Sequence, residues 1–197
     1  FDVREGIFPE SAEQCDGWVI TGSKFNVDEN RDWMQKLKKL ILEIDACGRP
    51  LLGICFGHQI IADAFGGKVE PYQGGWGVGL HSYQLLGDNP FIKDGADQFS
   101  ISAMHRYQVT EKPENARVFA QSDFCKYAGL VYGDKILTVQ AHPEFNLQYE
   151  TDLVALRKGV AIPEDVADAG LSQLRAENAA TDSARVARWM LEFITAS

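Results

Sequence analysis

The chain has 197 residues, of which 45% are hydrophobic, and it carries a formal net charge of −9 at pH 7. This length allows one hydrophobic core of ordinary size, so we expect a single domain over residues 1–197, and the acidic balance excludes the clustered lysine and arginine surface that nucleic acids require. With no apolar run long enough to cross a bilayer and no secretory signal at the start, we expect a cytoplasmic protein that binds neither nucleic acid nor membrane.

The first part of the chain alternates between strand-like and helix-like segments. A short apolar run between turn-forming residues, at 16–23, predicts a buried strand. Over 31–47 the apolar residues recur every three or four positions, which predicts a helix that ends at Gly48. Residues 51–55 then predict a second buried strand, and 57–65 a second helix. This alternation predicts an α/β fold of three layers, with a mostly parallel central sheet and helices on both faces.

The middle of the chain consists of short apolar segments separated by turn signals, so we expect strands there, some of them antiparallel. These segments are 78–86, 99–103, 118–120, 127–131 and 136–139. From 146 to 197 the pattern becomes helical, and we expect this C-terminal extension to pack on the same domain. Its helices are indicated by Leu153, Leu156 and Val160, by Pro163 with the acids that follow it, and by Val186, Trp189, Met190, Phe193 and Ile194 after a cap at Asp182 or Ser183.

Cys55 lies in the most specific motif of the sequence, Gly53-Ile54-Cys55-Phe56-Gly57, between a predicted strand and a predicted helix. A G-x-C-x-G turn in this position is typical of a nucleophile elbow, whose glycines allow a sharp turn and leave room around an exposed nucleophile. The N-terminus of the following helix favours a thiolate, and the N–H of Phe56 is placed to donate to an oxyanion. The alternative is a buried cysteine that only packs in a strand-to-helix turn.

A second motif, Gln140-Ala141-His142-Pro143-Glu144, follows the predicted strand 136–139. A cysteine nucleophile needs a base that takes its proton and protonates the leaving amine, and the base needs a partner that fixes its tautomer. His142 and Glu144 can fill these roles. The other cysteines and histidines lack such a context, and no CxxC pair indicates a metal site. We interpret them as packing residues: Cys15, Cys47, Cys125, His58, His81 and His105.

Residues 53–59 followed by His142-Pro143-Glu144 resemble the class I (triad) glutamine amidotransferases, and most of all their stand-alone GMP synthase-like members. The resemblance covers roughly residues 16–146. It implies a flavodoxin-like fold and a γ-glutamyl thioester on Cys55, with ammonia release assisted by His142 and with Glu144 orienting His142. It also implies that no metal or organic cofactor is required.

The resemblance further implies oxyanion donors at Gly22 and Phe56 and a substrate contact from Gln59. The family's glutamine-recognition segment corresponds here to residues 103–107, in which methionine replaces a polar residue and arginine replaces a glycine. We therefore expect the backbone of Met104 and Tyr107 to bind substrate, with Arg106 either supplying charge for a carboxylate or facing solvent. The family has a strand and a helix before the strand at Trp18, so we also expect a first strand that is missing from this chain.

Three hypotheses for function remain open after the sequence is considered. The first is an amidotransferase that hydrolyses glutamine and passes ammonia to a partner synthetase, because no length remains for a domain that activates an acceptor. The second is a stand-alone hydrolase of a γ-glutamyl amide or peptide, with the C-terminal helical extension covering a face where a synthetase would otherwise dock. The third is an inactive regulatory module, against which the intact Cys55, His142 and Glu144 count.

Overall fold

The computed structural model describes residues 1–196, which form nine strands and five α-helices together with two short 3-10 helices, at Val3–Glu5 and Val27–Glu29. The strands are β1 (Trp18–Ile20), β2 (Leu51–Ile54), β3 (Lys68–Pro71), β4 (Gly77–Leu85), β5 (Gln98–His105), β6 (Tyr107–Glu111), β7 (Ala116–Gln121), β8 (Gly129–Tyr132) and β9 (Ile136–Val139). The α-helices are α1 (Asp32–Ala46), α2 (Phe56–Ala64), α3 (Leu147–Arg157), α4 (Glu164–Leu174) and α5 (Ser183–Ala196).

The main sheet has seven strands in the order β1-β2-β9-β8-β7-β4-β5. The strands β1, β2 and β9 run parallel, while the remaining neighbours pair antiparallel. The α/β class and its antiparallel part are confirmed, but the parallel part is smaller than predicted. The reason is connection length: short turns such as Gly133-Asp134, between β8 and β9, can join only antiparallel neighbours.

Helices cover both faces of this sheet, as the three-layer prediction requires. Successive residues of a strand point to opposite faces, and Leu51 and Leu52 on β2 lie in different hydrophobic clusters. Leu51 packs with side chains of α1 and α2, and Leu52 lies in the cluster that contains the buried residues of α5. A third cluster joins α3 and α4 to Val78 on β4. The C-terminal helices therefore pack against strands of this sheet.

Two strands were missed by the sequence analysis, because their pairing is not visible in a local pattern. The strands β3 and β6 pair with each other in a separate two-stranded antiparallel sheet. All four residues of β3 are at least partly exposed, and the strand ends at Pro71, so no apolar run marks it. None of the helices in residues 1–196 combines the length and apolar character needed to span a membrane.

Candidate active site

Cys55 occupies the junction between β2 and α2 in a strained backbone conformation. Its φ is 52° and its ψ is −102°, and in residues 1–196 Asn30 is the only other non-glycine residue with a positive φ. Such a conformation costs about 1–3 kcal/mol and persists only where the surroundings impose it. Here the Cys55 N–H donates to the carbonyl of Val139 at 2.9 Å, which fixes the junction to the end of β9.

The glycines beside Cys55 serve close packing rather than the turn itself. Neither Gly53 nor Gly57 has a positive φ. A Cβ on Gly57 would lie 2.0 Å from the carbonyl oxygen of Ile20, and one on Gly53 would lie 2.6 Å from Cδ1 of Ile61. The prediction that these glycines leave room is confirmed. The sharp turn itself is made at Cys55, whose φ is positive, and not at either glycine.

His142 reaches Cys55 because β9 lies parallel to β2 and both strands end at the same edge of the sheet. The backbone N–H of His142 donates to the carbonyl of Ser102 on β5 at 2.8 Å. Its Nδ1 lies 2.7 Å from Oε1 of Glu144, and its ring stacks on Phe145 with a centroid distance of 4.1 Å and an angle of 10° between the planes. Glu144 thus holds the imidazole at its edge, and Phe145 holds it on its face.

The charges around His142 favour its protonated form. Burial by itself would lower the pKa of the imidazole, but the neighbouring Cys55 and the hydrogen-bonded Glu144 outweigh burial and raise that pKa to about 10. A protonated imidazole stabilises a negative charge on the sulfur of Cys55. The sulfur also lies at the N-terminus of α2, where the helix dipole favours an anion.

Gly22, in the loop after β1, lies against the side chains of Cys55 and His142. A Cβ on Gly22 would be 3.1 Å from Cε1 of His142 and 3.7 Å from Cβ of Cys55. The first N–H of α2 belongs to Phe56, whose side chain is buried and whose ring centroid lies 5.6 Å from that of Trp33. The N–H groups of a helix's first turn have no partner within the helix.

Of the four predicted substrate-binding residues, Gln59 and Tyr107 contact each other, whereas Met104 and Arg106 have other surroundings. Gln59 is buried, and its Nε2 donates to the carbonyl of Tyr107 at 2.8 Å and to Oε1 of Gln140 at 3.1 Å. The side chain of Met104 packs in the apolar cluster of α3 and α4, whereas Arg106 is exposed. The structure therefore joins Gln59 and Tyr107, whereas the partly buried methionine side chain packs against the cluster of α3 and α4.

Gln140 and Phe145 were not identified from the sequence, although both lie at the centre of this site. Gln140 is fully buried, and its Nε2 is 3.8 Å from Sγ of Cys55 while its Oε1 accepts from Gln59. Phe145 forms the stack on His142. A buried amide directly after the apolar strand β9 was a usable signal for Gln140, whereas the stacking partner of an imidazole leaves no trace in sequence spacing.

Two other histidines are held in a neutral state by burial. Burial lowers the pKa of His58 and of His105 to about 3. His58 is fully buried, and its Nδ1 lies 2.8 Å from Oγ1 of Thr138, so it joins α2 to β9. Across residues 1–196, no three metal-ligating side chains come together in a cluster that could hold a metal ion.

The sequence matches the profile described as glutamine amidotransferase class-I over residues 4–158. It is 36% identical to gamma-glutamyl peptidase 2 of Arabidopsis thaliana over 161 residues, a region that covers 78% of this chain and 64% of the plant protein. The chain thus spans less than two thirds of that relative's length. It is also 37% identical to one subunit of the glutamine-hydrolyzing GMP synthase of Methanosphaera stadtmanae over 113 residues, covering 54% of this chain and 56% of that protein.

Among solved structures, a glutamine amidotransferase from Thermotoga maritima superposes with a TM-score of 0.76 over 98% of this chain and 83% of its own. The two sequences are 22% identical. At this identity the similarity establishes a shared fold, the three-layer arrangement with helices on both faces.

Proposed function

Since the chain belongs to the class-I glutamine amidotransferase family, we propose that it hydrolyses a γ-glutamyl amide bond with Cys55 as the nucleophile. The observation that carries the proposal is the arrangement of Cys55, His142 and Glu144. The cysteine stands at a strained strand-to-helix junction, and the imidazole beside it is held by a carboxylate at 2.7 Å. This is the geometry that acyl transfer through a thiol requires.

In the first half of the reaction the Cys55 thiolate attacks the δ-carbonyl carbon of the γ-glutamyl group, and a carbon–sulfur bond forms. The oxyanion of the tetrahedral intermediate accepts hydrogen bonds from backbone N–H groups of Phe56 and of the loop around Gly22. When the intermediate collapses, the carbon–nitrogen bond breaks and His142 gives its proton to the departing amine. The products are the free amine and a γ-glutamyl thioester on Cys55.

In the second half His142 is neutral and acts as the base. It takes a proton from a water molecule, whose oxygen attacks the thioester carbonyl. Breaking of the carbon–sulfur bond releases glutamate and restores the thiolate beside a protonated imidazole. Glu144 keeps the imidazole in the tautomer whose Nε2 faces the reacting atoms. The stacked ring of Phe145 fixes the orientation of the imidazole plane.

Replacing Glu144 by glutamine should lower both the rate and the upper pH limit of the reaction. The carboxylate raises the pKa of His142, so its removal lowers that pKa, and the protonated imidazole is then lost at a lower pH. We expect the alkaline limb of the kcat/KM profile to move down by about 1 pH unit or more and kcat to fall by about 10²- to 10⁴-fold.

Glu114→Gln is the matched control for this experiment, since Glu114 is an exposed carboxylate on the turn between β6 and β7. It should leave the pH profile of kcat/KM unchanged. An alkaline limb that stays in place in Glu144→Gln would contradict the assigned role of the carboxylate.

For the substrate we propose a γ-glutamyl peptide or related amide that is hydrolysed without a partner. The similarity to gamma-glutamyl peptidase 2 supports this choice, because it extends over 78% of the chain. The position of the C-terminal extension supports it as well. Oγ of Ser183, at the start of α5, donates to the carbonyl of Phe145 at 3.1 Å, so the extension is attached beside the site.

The second candidate is the hydrolysis of glutamine with transfer of ammonia to a synthetase, and the similarity to the glutamine-hydrolyzing GMP synthase favours it. Glutamate release from γ-glutamyl dipeptides and from glutamine, by the chain alone and with an ammonia-dependent synthetase, separates the two. Turnover of the dipeptide alone supports the first candidate. Turnover of glutamine only when the synthetase is present supports the second, and release of glutamate from neither substrate supports an inactive module.

A further inference from the structure

The helix α3 presents its apolar side to solvent. The spacing of Leu153, Leu156 and Val160 predicted a helix, and in the structure Leu156 is 72% exposed and Val160 is 81% exposed. Tyr149, one turn before Leu153, is 52% exposed, and Leu153 is partly exposed. Positions 149, 153 and 156 follow one side of the helix, and Val160 extends the line into the turn that follows it. We call these four residues the α3 stripe.

The inner side of α3, in contrast, carries a buried charged residue. Its buried residues are Glu150 and Val154, and Oε1 of Glu150 accepts a hydrogen bond from the backbone N–H of Gly79 at 3.1 Å. The helix therefore buries a carboxylate against β4 while a tyrosine and two leucines face outward. A contiguous line of large apolar side chains on a protein surface is typical of an interaction site.

The charges beside the stripe indicate which partner it fits. Asp152 and Arg157 are both exposed and flank the stripe. Asp152 accepts a hydrogen bond from Gln148 at 2.9 Å, and Arg157 forms no ion pair within residues 1–196. Asp152 and Arg157 are equally far in sequence from the midpoint between Val154 and Ala155. The same is true of Leu153 and Leu156, and of Tyr149 and Val160.

We propose that the α3 stripe binds the α3 stripe of a second copy of this chain, with the two helices antiparallel across a twofold axis at that midpoint. In this register Tyr149 meets Val160 of the second copy, and Leu153 meets Leu156 of the second copy. Asp152 then faces Arg157 of the second copy, and the reverse pair forms by symmetry. A twofold interface requires a surface that is complementary to itself, which is what this arrangement of apolar and charged residues provides.

The position of the stripe brings the second copy close to the candidate active site. The ring of Tyr149 packs edge-on against Phe145 at 4.7 Å, and Phe145 stacks on His142 at 4.1 Å. The turn that carries Val160 of the second copy would therefore lie beside the aromatic residues that hold the imidazole. This inference does not depend on the proposed function, because it concerns association of the chain and not turnover.

Sedimentation velocity of the full chain over a range of protein concentrations tests the proposal. We expect the wild-type chain to form a dimer as the concentration rises. Leu156→Glu should remain monomeric, because each of the two symmetry-related carboxylates would be buried without a partner against Leu153 of the other copy. Leu191→Glu is the matched control, since Leu191 is 60% exposed on α5, away from the stripe. It should dimerise like the wild type.

A charge exchange makes the test specific for the antiparallel register. Asp152→Arg and Arg157→Asp should each weaken the dimer by about 10-fold, because each places like charges opposite one another. The double variant should restore the wild-type dissociation constant, since both ion pairs form again with the charges exchanged. A monomeric wild type, a double variant weaker than either single one, or equal loss in Leu191→Glu would overturn the proposal. The proposal would also be overturned if the α3 stripe were found to bind a different protein and to play no part in self-association.

Discussion

Cys55→Ala is expected to abolish hydrolysis, with kcat/KM reduced by at least about 10³-fold. No other group within the described site can form the thioester, because His142 and Glu144 act on protons and Gln140 is an amide. The fold should be retained, because the substitution removes one sulfur atom and alanine faces the same backbone conformation as the cysteine. Glutamate release from a γ-glutamyl dipeptide measures the activity, and circular dichroism checks the fold.

Cys47→Ala is the matched control for this prediction. Cys47 is exposed at the C-terminal end of α1 and lies outside the candidate site. Its loss should leave kcat/KM unchanged and should leave the alkylation of Cys55 unchanged as well. If Cys55→Ala kept the activity of the wild type, the nucleophile would lie elsewhere and the proposed mechanism would be wrong.

Gly57→Ala is expected to destabilise the protein by about 3 kcal/mol or more. The added Cβ would lie 2.0 Å from the carbonyl oxygen of Ile20 and 2.8 Å from its carbonyl carbon. Both are backbone atoms of β1, so the contact cannot be relieved by a change of rotamer. The helix α2 and the strand β1 must move apart, which also disturbs the loop that carries Gly22 beside His142. The midpoint of urea unfolding measures the loss.

Gly66→Ala provides the comparison, since Gly66 follows the same helix and a Cβ there meets nothing within 4 Å. Its φ is +85°, so alanine costs only the strain of a left-handed conformation, about 1 kcal/mol. A Gly57→Ala variant as stable as Gly66→Ala would show that the packing of α2 on β1 is not what requires a glycine.

Local patterns were sufficient to predict the elements that build the site. The run from Leu51 through Cys55 into α2 was predicted from one apolar strand, one motif and one helix pattern, and the structure has β2 and α2 within a residue of those bounds. What local patterns could not give is that β9 pairs with β2. This pairing brings two segments together that are far apart in sequence, and strand order depends on the whole set of contacts.

The α3 stripe shows a different limit of sequence analysis. The periodicity of Leu153, Leu156 and Val160 predicted a helix, and α3 exists, but it ends at Arg157, Leu156 and Val160 are exposed, and Leu153 is only partly buried. An amphipathic pattern indicates that one side of a helix is suited to burial, and it does not indicate whether the burial is within the chain or against another molecule. The burial of Glu150 on the opposite side depends on Gly79, a contact across many residues of chain.

Within the candidate site, the residues proposed to carry the chemistry were easier to predict than the residues that hold them. His142 and Glu144 were identified because a thiol nucleophile needs a base and an orienting acid. The amide of Gln140 contacts Cys55 and the ring of Phe145 stacks on His142, and neither role demands one residue type at one spacing. Gln59, expected to contact substrate, donates to Tyr107 and Gln140 in the structure.

The most direct test of the central claim is to identify the covalent intermediate. The wild-type protein is mixed with a γ-glutamyl dipeptide, quenched with acid during turnover, digested and analysed by mass spectrometry. We predict one γ-glutamyl group on the peptide that contains Cys55, linked as a thioester that hydroxylamine removes, and none in Cys55→Ala. Glutamate release with an unmodified Cys55, or with the γ-glutamyl group on another residue, would contradict the claim.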